Sequence, residues 1–135
     1  MKEITNHFSN KLIFGKYKII KNEGQSICST VFSGINIMEK NYVFLKFQDK
    51  NQLFKTLEKE AYYLLKLKGI GIPKIISDGY SGKYNILVEE LLGKSLEQLF
   101  QEIRNKSKRI RLKDTIMAGI QIIDRLEFIH SKYIV

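Results

Sequence analysis

The chain has 135 residues, 44% of them hydrophobic and 27% charged, which sets it among soluble globular proteins and gives room for one ordinary domain. One cysteine, Cys28, excludes an internal disulfide and fits a reducing compartment; the polar start over residues 1–10 lacks the basic and apolar blocks of a signal peptide, and no apolar run approaches the ~20 residues of a membrane span, so a cytoplasmic or nuclear protein is expected. The net charge of +9 allows attraction to nucleic acid, anionic lipid, acidic protein or ATP and selects none of them.

In chain order, Tyr17-Lys18-Ile19-Ile20-Lys21 is short and β-prone. Thr30-Val31-Phe32-Ser33-Gly34-Ile35-Asn36-Ile37 follows, residues 38–41 offer a turn, and residues 42–48 form a third run rich in aromatic and branched side chains. Short links between three such runs predict an antiparallel meander. Residues 52–68 carry Leu53, Leu57, Ala61, Leu64 and Leu65 at helical spacing, and Gly69-Ile70-Gly71-Ile72-Pro73 ends that helix. Ile75-Ile76 and residues 84–90 read as two more strands about the turn Ser81-Gly82-Lys83. A short helix over 96–103 and a longer one over 113–131 complete the chain, the latter with Ile116, Ile120, Ile123, Leu126 and Ile129 along one stripe. Five strands with one helix inserted, then helices, is an α+β layout with a small sheet lobe first. Between the last two helices Arg104, Lys106, Lys108, Arg109, Arg111 and Lys113 place six cations in ten residues. With no aromatic among them a base-stacking surface is not expected; the run is either a solvated loop or a docking patch for an acidic or phosphorylated protein.

Two charges keep apolar company. In Val43-Phe44-Leu45-Lys46-Phe47, strand alternation puts Lys46 on one face with Phe44. In the helix, Glu60 falls on the stripe of Leu57, Ala61 and Leu64. An unpaired buried carboxylate costs several kcal/mol, which a partner reduces. Lys46 and Glu60 satisfy each other, or Glu60 sits at the edge of its stripe; the pattern alone leaves both open.

Several segments together resemble the casein kinase I family of protein kinases. Lys16-Tyr17-Lys18-Ile19 with Gly24 resembles the start of a kinase glycine-rich loop, and Val43-Phe44-Leu45-Lys46 the V-A-I-K motif. Gly69-Ile70-Gly71-Ile72-Pro73 is similar to that family's G-(V/I)-G-I-P. Tyr84-Asn85-Ile86-Leu87-Val88, Glu90-Leu91-Leu92-Gly93 and Ser95-Leu96-Glu97 resemble its hinge region, and Arg125-Leu126-Glu127-Phe128-Ile129-His130-Ser131-Lys132 its R-I-E-Y-I-H-S-K. The resemblance covers residues 16–135, with 1–15 as an N-terminal extension. It implies a kinase-like small lobe over 16–92, a five-stranded antiparallel sheet plus one helix, followed by the first helices of a large lobe over 93–135. It implies a serine/threonine kinase using ATP and Mg, with Lys46 on the α- and β-phosphates, Glu60 paired to it at the family's spacing of fourteen, and Val31 lining the nucleotide. Gly24, Ser26 and Ser29 would cover the phosphates, and Glu90 to Leu92 would hold adenine through the backbone.

The departures are specific. Serines stand at Ser26 and Ser29 where the loop pattern has glycine, restricting the backbone's approach to phosphate. Cys28 stands where phenylalanine is usual. Glu89 stands at the gatekeeper position, normally apolar; it turns to solvent, finds a cation such as Lys46 in competition with Glu60, or disfavours nucleotide. The family continues after I-H-S-K into H-R-D, and within these 135 residues nothing matches the catalytic Asp or the metal-binding Asn and Asp. No catalytic and no metal-binding residue is therefore assigned, His130 included, and the chain by itself is expected to bind ATP weakly or not at all and not to turn it over. The rival expectation is a non-catalytic, pseudokinase-like module that binds protein through the hinge surface or the basic run.

Overall fold

The alternation over residues 17–49 does form a meander. The computed structural model describes residues 2–26, 28–106 and 109–134; Lys108 of the basic run lies outside them, as do Met1, Ile27, Ser107 and Val135. Strands β1 (Tyr17–Gln25), β2 (Thr30–Asn36) and β3 (Asn41–Asp49) are followed by helix α2 (Thr56–Leu67), then β4 (Ile75–Ser81) and β5 (Tyr84–Glu90). The strands form one five-stranded antiparallel sheet in the order β1-β2-β3-β5-β4. Ahead of it lies α1 (Lys2–Phe8), and after it α3 (Leu96–Asn105) and α4 (Leu112–Ser131). The architecture is α+β, compatible with the small lobe of a protein kinase followed by helices.

Local chemistry explains the joints. The β2–β3 turn closes because Asn36 Oδ1 accepts from the backbone N–H groups of Met38 (3.1 Å) and Glu39 (3.3 Å). Gly34 is buried in β2, where a Cβ would lie 2.6 Å from Leu45 Cδ1 and 2.8 Å from the Lys18 carbonyl oxygen, so no larger residue fits without movement.

One face of the sheet carries Phe32, Val43, Leu45, Phe47, Tyr84, Ile86 and Val88, all buried. Tyr17 of β1 belongs to the same cluster, and Ile4, Phe8 and Ile13 cover the face. Phe47 is the hub, with ring centroids 5.3 Å from Phe32, 5.6 Å from Phe8 and 6.0 Å from Tyr84. The polar-looking start of the chain thus contains a core-forming helix: Ile4 and Phe8, four residues apart, share its buried face, and Glu3 pairs with Lys83.

The other face receives α2, whose Leu57 and Ala61 pack on Leu87, with Ile75 beside them. The predicted start of this helix at residue 52 is corrected: it begins at Thr56, leaving Leu53 and Phe54 exposed. Gln48, buried on β3, is the reason. Its Nε2 donates to Phe54 O (2.7 Å) and lies 2.8 Å from Thr56 Oγ1, while its Oε1 accepts from Leu57 N–H (3.1 Å). A strand side chain thereby satisfies a first-turn N–H that no local cap serves.

By internal packing the chain divides into two compact units, Met1–Leu92 and Gly93–Val135. In the second, Ser95 and Gln98 form a reciprocal capping box at the start of α3, and Arg111 grips Asp114 with two hydrogen bonds, Nε–Oδ2 2.8 Å and Nη2–Oδ1 3.1 Å, at the start of α4. Neither α3 nor α4 contains a buried residue. Among the described residues no helix is long and apolar enough to cross a membrane.

Candidate functional site

Strand alternation places Phe44, Lys46 and Gln48 on the α2 side of the sheet, away from Val43, Leu45 and Phe47. The register sets Gly24, Val31, Lys46 and Leu87 abreast on β1, β2, β3 and β5, and sets Phe44 opposite Glu89. Because α2 lies on this face, Glu60 reaches the row. Lys46 Nζ donates to Glu60 Oε1 at 2.6 Å and stands 2.9 Å from Glu89 Oε2. Of the two arrangements open from the sequence, the Lys46–Glu60 pair is the one formed.

The three charges differ in their access to water. The side chain of Glu60 is 37% exposed and that of Lys46 22%, whereas Glu89 is 2% exposed. Glu89 Oε1 is buried without a hydrogen-bond partner. Burial pushes the Glu89 carboxyl above its ordinary value, the ammonium of Lys46 opposing this only in part. Burial alone would lower Lys46, but hydrogen bonds and charge from Glu60 and Glu89 prevail, and the ammonium is held above its ordinary value. One cation thus serves two carboxylates.

The loop between β1 and β2 is closed on itself. Ser26 N–H donates to Ser29 O (2.8 Å), and Ser26 Oγ accepts from the N–H groups of Cys28 (3.3 Å) and Ser29 (3.0 Å) and lies 3.0 Å from Ser29 Oγ. These are backbone donors of the kind that cradle phosphate in a glycine-rich loop. Here a serine side chain engages them. Gly24 sits at a bulge of β1 with φ 154°, a conformation rare for other residues, and a Cβ there would meet nothing within 4 Å. Cys28 is a half-buried free thiol.

At the end of β5, Glu90 turns both its N–H and its side chain toward the start of β4: Glu90 N–H donates to Lys74 O (3.0 Å) and Glu90 Oε1 accepts from Lys74 N–H (2.9 Å). Leu91 and Leu92 continue beyond the strand with exposed side chains. Among the candidate residues, then, Lys46, Glu60, Glu89 and Val31 are brought together by register and helix packing, Gly24 stands in the same row, Ser26 and Ser29 close the adjoining loop, and Glu90 and Leu92 lie at the far end of β5. Glu58, the other acidic residue near Glu60, faces elsewhere and accepts from Tyr80 Oη at 2.5 Å.

Among the described residues no group of three or more His, Cys, Asp or Glu is placed to hold a metal ion. The described members of the basic run, Arg104, Lys106, Arg109, Arg111 and Lys113, are all exposed. Sequence reasoning missed Gln48 as the organiser of α2 and Ser26 as the lock of the loop; the S-x-x-S spacing of Ser26 and Ser29 was the available signal for the latter. No protein-family model matches the chain.

Proposed function

We propose that this chain carries the nucleotide-binding lobe of a casein kinase I-like serine/threonine protein kinase. The observation that supports this reading most is the Lys46–Glu60 ion pair, 2.6 Å long, joining the third strand of the sheet to the helix inserted after it. Such a pair holds a lysine ammonium where the α- and β-phosphates of ATP are met in protein kinases. The order of the G-I-G-I-P, hinge and I-H-S-K segments adds the family preference.

In this reading Lys46 neutralises phosphate charge, Glu60 orients Lys46, Val31 bounds the adenine side and the backbone from Glu90 to Leu92 presents donors and acceptors to the base. Mg would enter with the nucleotide. The proton acceptor and the metal-holding side chains of phosphoryl transfer have no match within the chain, so it contributes positioning and charge stabilisation rather than proton transfer. A cytoplasmic or nuclear setting accords with this activity.

A second reading, a pseudokinase-like protein-binding module, draws on two contacts: Glu89 beside Lys46 at 2.9 Å, and Ser26 on the loop N–H groups. Both compete with phosphate. Titration with a fluorescent ATP analogue, followed by a radiolabelled-ATP assay on casein, separates the readings. Saturable binding that Lys46→Met weakens at least tenfold, without turnover by this chain alone, is the expected result. Analogue binding indifferent to Lys46→Met would refute the nucleotide-lobe reading.

A further inference from the structure

The ammonium of Lys46 has three protons to donate, and two directions are already taken, by Glu60 at 2.6 Å and by Glu89 at 2.9 Å. With both carboxylates ionised the cluster is net negative, unsuited to receiving phosphate. Glu60 is partly exposed and its charge is screened. Glu89 is 2% exposed and held in β5 opposite Phe44, so its charge is shielded from water where it stands. Its second oxygen lacks any donor. The charged groups that act on it are Lys46 from β3, Glu60 from α2 and, through its charge alone, its chain neighbour Glu90, two anions against one cation.

We propose that Glu89 is the residue that sets nucleotide affinity here: it competes with phosphate for Lys46, and a nucleotide binds firmly only when Glu89 takes up a proton. The inference rests on the nucleotide-lobe reading and deepens it. An arriving phosphate brings further negative charge beside a carboxylate that is already desolvated, which favours the neutral acid. The proton comes from solvent and stays on Glu89 while the nucleotide is bound; no bond of the nucleotide changes. If one proton is linked to binding, affinity falls by up to about tenfold for each pH unit across the window between the free and bound pKa values of Glu89. The orphan oxygen Oε1 then carries a hydrogen and becomes a donor.

The test is calorimetric titration of MgADP into the wild-type chain and Glu89→Gln, near pH 6 and near pH 8, in buffers of different ionisation enthalpy. Glutamine keeps the shape and removes the charge; Glu89→Met serves as a second variant with the usual apolar character of the position. The wild type is expected to take up more protons on binding than Glu89→Gln, by up to about one, and to lose affinity relative to it by up to about tenfold per pH unit as the pH rises. Titration of the nucleotide's own phosphate is common to every variant and cancels in the comparison. Equal proton uptake with equal affinity in wild type and variants would overturn the role of Glu89 and leave the nucleotide lobe standing. Absence of MgADP binding in all three proteins at both pH values would overturn both.

Discussion

Replacing Gln48 by leucine is the sharpest test of how the site is assembled. Gln48 comes from β3, two residues from Lys46 on the same face, and its carboxamide fixes the entry to α2 through Phe54 O, Thr56 Oγ1 and Leu57 N–H. Leucine fills similar space and removes these partners. The Leu57 N–H is buried, and leaving it unpaired costs about 1–3 kcal/mol, with a smaller penalty for the more accessible Phe54 carbonyl. A loss of roughly 2–4 kcal/mol is therefore expected. For a unit of this size that corresponds to a fall in Tm of order 10 °C or more. The consequence should also reach the site, because Glu60 rides on the helix that Gln48 secures, so weaker analogue binding should accompany the lower stability. Urea and thermal denaturation followed by circular dichroism measure the first effect, and fluorescence titration at a temperature where the variant remains folded measures the second. A Gln48→Leu protein whose midpoint matches the wild type would show that α2 is held by Leu57 and Ala61 alone, and the argument for Gln48 would fail.

Three further outcomes are expected. Ser26→Gly frees the N–H groups of Cys28 and Ser29 and should tighten nucleotide binding several-fold; unchanged or weaker affinity in a fluorescence titration would count against the self-closed loop as a competitor. The raised pKa of Glu89 means that its contribution to stability is fully present below its unfolded value and is lost as pH rises through the folded one, so the stability of Glu89→Gln relative to wild type should grow as pH rises above the ordinary carboxylate range in urea titrations, and a pH-independent difference would refute the shift. On α4, Ile116, Met117, Ile120 and Ile123 are each at least half exposed along one stripe, and this 135-residue chain should self-associate through them; light scattering should show the size falling in Ile120→Lys/Ile123→Glu, whereas a clean wild-type monomer would dispose of the idea.

The parts of the fold that the sequence makes legible are those where burial repeats with a short period. In β2 and most of β3 a buried face alternates with a mixed one, and β5 is an apolar run buried on both faces, so these strands can be read, although β1 and β4 extend further than their apolar residues suggest. Helix α1 escapes such a reading because two buried side chains, Ile4 and Phe8, make no statistical pattern; they matter because the sheet offers Phe47 and Tyr84 beneath them. The start of α2 escapes because it is decided by a glutamine eight residues earlier on another element. Lys46 and Glu60 announce themselves as charges at apolar positions. For Glu89 the sequence offers Lys46 as one of three alternatives, and the choice among them depends on the β3–β5 register, which no local signal specifies.

Lys46 is a tie between three separately coded pieces of the chain, β3, α2 and β5, and this changes how its removal should be interpreted. Lys46→Met, the natural null variant for a nucleotide site, would strip the counter-ion from Glu89, which is 2% exposed. Breaking a buried pair on one side costs about 3–5 kcal/mol when the remaining charge cannot escape, less if the carboxyl takes a proton. A silent Lys46→Met protein would therefore report loss of ligand contact and loss of native packing at once. The double variant Lys46→Met/Glu89→Gln separates them: it lacks the ammonium but strands no buried charge, and makes the better negative control for any assay of this chain.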